Sequence, residues 1–280
     1  MKLVIYTGFA LIAFAFNSIL CRMALGSGEA DAASFTAVRL ASGALMLAII
    51  AASLGKTKKA VRSGHWASAF FLFLYAIAFS LAYLGLNAST GALILFGSVQ
   101  ITMVTAALLK GERPGALEWA GLLAAVGGLV YLVLPGLSSP PLMSSLLMAA
   151  AGAAWGFYTL RGRGSEDPIA DTAGNFLRSV PMIAVVAAVM WPQMQITRWG
   201  FVLAVLSGAI ASGLGYTVWY AALRYHAPTR TAVLQLAVPV IVAVLGIAML
   251  GETATFRLGI AGALILGGIG MTSLRRGSKS

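Results

Sequence analysis

The chain has 280 residues, 60% of them hydrophobic and 10% charged, with a mean hydropathy of +0.91; a soluble domain carries roughly 25% charged residues, so a water-soluble core is excluded. The formal charge of +11 would suggest nucleic acid in a soluble protein. Here Lys and Arg fall in short gaps between apolar runs, the pattern that orients membrane proteins, so no nucleic-acid partner is expected.

In a bilayer a spanning helix needs roughly 20 mostly apolar residues and satisfies its backbone polar groups internally. Such runs predict an all-α integral membrane protein with ten transmembrane helices near 3–21, 35–54, 66–86, 89–109, 116–134, 144–160, 172–191, 199–223, 229–250 and 256–274. Lys2 and Ala24-Leu25-Gly26 give the first helix the look of a signal peptide. A counterpart in the second half argues for its retention. The lone cysteine, Cys21, excludes an internal disulfide and a multi-cysteine metal site, and it reads as packing.

The sixth helix is the shortest and carries Gly152 and Gly156. Pro181 and Pro239 interrupt the seventh and ninth helices; Pro239, among polar and aromatic residues, is the expected hinge. Gly121, Ala125 and Gly128 on the fifth, with Gly259, Ala263 and Gly267 on the tenth, form small-residue stripes that let helices approach. Packing within the chain is the first reading and dimerisation the second, giving a monomer or a weak homodimer in the lipid bilayer.

Fourteen Lys and Arg residues fall on one side of the predicted topology and only Arg22, Arg198 and Arg257 on the other, which places both termini in the cytoplasm. The chain also repeats itself: Phe16, Arg22 and Arg39 correspond to Trp155, Arg161 and Arg178, each displaced by 139 positions. Ser80, Tyr83 and Leu86 match Thr217, Tyr220 and Leu223, and Gly111-Glu112 matches Gly251-Glu252. The expected units are 1–138 and 139–280, with five helices each. An odd number inverts the second unit, and inverted repeats are characteristic of secondary carriers.

The paired in-membrane arginines, the paired Gly-Glu steps and Ala237-Val238-Pro239 resemble the drug/metabolite transporter superfamily in its ten-helix form with two EamA-type units. Size and aromatic-rich helices look most like a bacterial amino-acid exporter of that superfamily. The resemblance implies a bacterial inner-membrane transporter of small molecules, amino acids above all, and no cofactor. Val99 stands where the second unit has Pro239, a departure that puts a matching bend in the fourth helix in doubt.

No HExxH, GxSxG, P-loop or paired intramembrane carboxylate appears, and His65 and His226 fall at helix ends, so enzyme chemistry is not expected. All eight acidic residues fall in loops or at helix ends, whereas ion-coupled carriers commonly use a buried Asp or Glu; facilitated diffusion or exchange is the economical reading. A channel-like pore or a lipid flippase is the alternative. Arg39 and Arg178 are candidates either for attracting a substrate carboxylate or for clamping structural carbonyls.

The candidate substrate-binding residues are the mid-helix polar and aromatic ones: Asn17, Tyr75, Phe79, Tyr83, Gln100, Trp155, Tyr158, Asn175, Tyr216, Trp219, Tyr220 and Gln235. Spacings of four put Tyr75, Phe79 and Tyr83 on one face, and Tyr216 and Tyr220 on another. Core packing is the competing reading of this set. Trp66, Trp119, Trp191 and Trp199, near helix ends, read as interfacial anchors.

Overall fold

Each apolar run folds into a helix, and the polar residues between runs end it. The computed structural model describes residues 2–109, 111, 115–134, 136, 139–162, 165–223, 235 and 237–274. Its helices are α1 (Lys2–Gly26), α2 (Ala32–Ser53), a short α3 (Thr57–Arg62), α4 (Trp66–Tyr83), α5 (Ala88–Leu109) and α6 (Ala116–Val133). Then come α7 (Leu142–Gly162), α8 (Pro168–Met190), α9 (Arg198–Val205), α10 (Gly215–Leu223), α11 (Ala237–Leu250) and α12 (Phe256–Leu274). The π-helical stretch Leu206–Leu214 joins α9 to α10 without a break. Among the described residues, seven helical spans are long and apolar enough to cross a membrane, and three shorter apolar helices accompany them.

Caps explain where the expected boundaries move. Asp31 accepts hydrogen bonds from Ala33 N and Ser34 N, so α2 begins at Ala32 rather than near 35. Asp167 accepts from Ala170 N, with Pro168 in the first turn, and α8 starts before 172. The helix expected at 144–160 is longer at both ends. The basic stretch after α2, read as a loop, forms α3.

Large apolar side chains on the helix flanks, among them Leu45, Ile49, Leu123, Val185 and Val244, are exposed, as a lipid-facing surface requires. Inward faces close on one another through small residues. α6 packs along α12, but the expected stripe on the tenth helix is corrected by one face. A Cβ on Gly268 would meet Gly121 and Ala125 backbone, and one on Gly128 would meet Ala261, Leu264 and Ile265, whereas Gly259 and Gly267 have open space. The contact therefore runs through Ala261, Ile265 and Gly268, which recur at helical spacing.

Both ends of the bundle are tied by connections from opposite halves. At one end, Ala30 and Ile196 form an isolated antiparallel bridge, flanked by Asp31 N to Gln195 O at 2.9 Å and Thr197 N to Glu29 O at 2.8 Å. At the other, Lys56 and Lys59 reach Asp167 at 2.9 and 3.2 Å. Burial pushes the Asp167 carboxyl up, but the hydrogen bonds from both lysines outweigh it and hold the group below its ordinary value.

Candidate functional site

Side chains from α1, α4, α5, α7, the π-helical stretch and α10, with Gln235, converge on a cavity of about 30 Å³ in the middle of the bundle. That is room for two or three waters, at about 10–15 Å³ each, and for nothing as large as an amino acid. The lining is Phe14, Asn17, Ser18, Tyr75, Phe79, Leu95, Phe96, Trp155, Ala211, Tyr216 and Gln235. Aromatic rings make the walls: Trp155 lies against Tyr75 at 4.9 Å and Tyr216 at 5.2 Å between centroids, and Phe14 meets Tyr216 edge-on at 5.6 Å. Apolar walls with sparse polar groups are the usual design of a small-molecule pocket.

A buried polar chain crosses one side of this cavity. Ser207 donates to Asn17 Oδ1 at 2.6 Å, Asn17 Nδ2 donates to Tyr75 Oη at 3.2 Å, and Arg39 Nη2 donates to the same oxygen at 3.1 Å. Four elements are thereby linked: the π-helical stretch, α1, α4 and α2. The π-helical geometry, frequent at functional sites, turns Ser207 and Ala211 inward, and Gly208 lets this stretch pass directly over the Arg39 carbonyl, where a Cβ would collide. Arg39 is 2% exposed. Its guanidinium lies 5.2 Å from the Tyr75 ring centroid and 5.1 Å from that of Phe79.

Of the twelve expected binding residues, Asn17, Tyr75, Phe79, Trp155, Tyr216 and Gln235 line the cavity. Tyr158 stacks behind Trp155 at 5.4 Å, Tyr83 packs edge-on to Phe79 at 4.7 Å and donates to Ala88 O, and Trp219 backs Phe14. Gln100 is half-buried on α5 outside the lining. The side chain of Tyr220 lies outside the described residues. Asn175 sits away from the cavity, its Oδ1 accepting from His65 N at 2.9 Å. Pro239 is buried in the first described turn of α11; residues 224–234 and 236, where a hinge would show, lie outside the described residues.

The two in-membrane arginines do different work. Arg178 donates to the carbonyls of Ser63 and Gly174 at 2.5 and 3.0 Å and of Val61 at 3.2 Å, clamping the α3–α4 connection. Among the described residues Arg39 holds no backbone carbonyl and faces rings and a phenol instead. The second Gly-Glu pair also has a structural role: Gly251, at φ 64°, turns the chain so that Glu252 accepts from Ala88 N, from Ser89 N at 3.1 Å and from Ser89 Oγ at 2.7 Å at the start of α5. Gly111 has the same left-handed φ, and Glu112 lies outside the described residues.

Phe14, Ser18, Leu95, Phe96 and Ala211 are lining residues that the sequence reading missed. Phe14 and Ser18 are four apart and flank Asn17 on one helix face, so the amide itself was the available signal. Phe96 is a mid-helix aromatic like those selected, while Leu95 and Ala211 carry no signal beyond being apolar in an apolar chain.

Residues 142–274 match the EamA-like transporter family. A protein of Pseudomonas aeruginosa (strain PAO1) described as uncharacterized protein PA1977 is 49% identical over 270 residues, which is 96% of this chain and 94% of that protein. A solved crystal structure aligns at a TM-score of 0.70 with 20% identity over 96% of this chain and 98% of its own, a likeness of fold.

Proposed function

Since the chain shares a family with the Pseudomonas protein and carries an EamA-like transporter family domain, we propose that it is a secondary transporter of small metabolites with amino acids as its substrate class. The observation that carries this is the aromatic-walled cavity at the centre of a multi-pass helical bundle whose two ends are each tied between connections from opposite halves. A carrier needs such a site, reached from one side at a time.

The ten apolar helices then act as ten spans in two inverted five-helix units, 1–138 and 139–280, with both termini in the cytoplasm of a bacterial inner membrane. Helix pairing supports the inversion. α4 packs on α7 as the α9–α10 span packs on α1, α5 packs on α7 as α11 packs on α1, and the pairs α2–α8 and α6–α12 map onto themselves. Two halves related in this way exchange inward-open and outward-open states at nearly equal energy. Among the described residues no acidic side chain lines the cavity, which favours facilitated diffusion or exchange over proton coupling.

The test is counterflow of radiolabelled neutral and aromatic amino acids in proteoliposomes, with and without a pH gradient. Saturable counterflow that no pH gradient drives above equilibrium is expected. Flux without saturation or counterflow would point to a pore, movement of labelled lipid to a flippase, and concentrative uptake on a proton gradient would defeat the uncoupled mechanism.

A further inference from the structure

Arg39 is a full positive charge, 2% exposed, in the middle of a membrane helix. Buried charges are as a rule paired, yet among the described residues no carboxylate reaches it and its Nη1 has no hydrogen-bond partner. Of the described acids Glu166 is exposed, and five are engaged elsewhere. Asp31 and Glu29 serve one end of the bundle, Asp167 and Asp171 the other, and Glu252 caps α5.

The guanidinium lies over the rings of Tyr75 and Phe79 and makes its hydrogen bond to the cavity wall at one atom, Tyr75 Oη. Tyr75 Oη accepts from both Arg39 Nη2 and Asn17 Nδ2, which occupies both of its lone pairs and leaves its own proton to donate. Two incoming donors, one of them charged, strengthen that outgoing hydrogen bond. Tyr75 lines the cavity.

We propose that the central cavity is an anion site in which Tyr75, backed by Arg39, receives the carboxylate of a solute with a flat apolar body, and in which an ammonium group is not required. The inference rests on the reading of this cavity as the substrate site. The incoming carboxylate supplies the counter-charge that Arg39 lacks among the described residues, and the rings of Phe14, Trp155 and Tyr216, in mutual contact here, part to take the apolar body. An ammonium finds no carboxylate among the described lining residues. The ring faces that could hold it by cation–π attraction include those of Tyr75 and Phe79, which Arg39 already occupies.

Equilibrium binding to the purified full-length protein, using four probes that share one phenyl ring, tests this. 3-Phenylpropanoate is expected to bind at least as tightly as phenylalanine, and 3-phenylpropanamide and 2-phenylethylamine about tenfold more weakly or worse. Arg39→Met and Tyr75→Phe should each bring carboxylate and amide to parity. Arg39→Met should also leave the thermal midpoint of the unliganded protein unchanged or raised, because an apolar side chain of similar reach replaces an unpaired charge; a purely structural arginine would give a fall. Should Arg39→Met not fold, Tyr75→Phe decides, since it keeps the charge while removing the hydroxyl that donates to the solute and accepts from Arg39 and Asn17. Equal binding of acid and amide by the wild-type protein, or a preference that survives the substitutions, overturns the proposal. Tighter binding of phenylalanine and the amine than of phenylpropanoate overturns the anion assignment and leaves the transport reading standing, whereas failure of all four probes to bind or move removes both.

Discussion

Glu252 shows how a carboxylate in a membrane protein can be structural without a cation. It satisfies two backbone N–H groups and a hydroxyl at the open end of α5, groups that a helix start cannot satisfy itself. Glu252→Ala should lower stability by about 1–3 kcal/mol, read as a fall in the thermal midpoint in detergent, and Glu252→Gln, which keeps an acceptor, should recover part of it. An unchanged midpoint for Glu252→Ala would deny the cap. At the cavity, Gln235→Ala should weaken substrate affinity by about 1–3 kcal/mol, or roughly five- to a hundredfold. Trp119→Ala, at an exposed position near the start of α6, should do little; equal transport by the two well-expressed variants would remove Gln235 from the site. Residues such as Asn17, Tyr75 and Gln235 were legible because a polar group inside an apolar run needs a reason. What the sequence could not separate was Gln235 from Gln100, or Asn17 from Asn175, because each pair shares a chemistry and differs only in what the fold brings alongside.

Element by element, helices were the legible part, since apolar runs bounded by basic gaps dictate them wherever backbone groups must be satisfied internally. Two elements escaped. α3 is six residues of basic sequence whose helix is held by its neighbours, with Lys56 and Lys59 on Asp167 and Arg178 on the carbonyls that follow. The π-helical stretch is a tertiary effect, set where Gly208 crosses the Arg39 backbone, and no local pattern announces it. The small-residue stripe on α12 was read one face away because glycines and alanines populate every face of that helix. The corrected register has a sharp consequence. Gly268→Val would drive a side chain into Gly121 and Ala125 backbone and should cost about 1–3 kcal/mol by overpacking, while Gly267→Val, in open space, should be nearly neutral. Matching thermal midpoints for these adjacent substitutions would contradict the α6–α12 contact.

For the whole molecule the governing fact is a tie at each end of the bundle around a cavity too small for a substrate, so transport requires each end to open in turn. The Lys56–Asp167–Lys59 cluster ties one end with a carboxyl held below its ordinary value of 3.8. A depressed folded value contributes stability that is present above the ordinary value and lost as pH falls through the folded one. Acid should therefore loosen this end below about pH 4, and Asp167→Asn should remove that acid-dependent step in a thermal-shift series while weakening the protein at neutral pH. The opposite end allows a covalent test. Ala30 and Ile196 face each other between two flanking backbone hydrogen bonds, the arrangement of a non-hydrogen-bonded antiparallel pair, whose Cα atoms stand about 4.5 Å apart. That separation falls within the range a disulfide spans, about 4.4–6.8 Å. With Cys21, buried in the core, replaced by serine, Ala30→Cys with Ile196→Cys should oxidise readily and hold this end shut. Counterflow should cease on oxidation and return on reduction, and each single cysteine variant should transport under both conditions. If the fully cross-linked protein still exchanged substrate at the rate of the reduced form, the α1–α2 and α8–α9 connections would be fixed scaffolding, and the path across the membrane would have to open elsewhere.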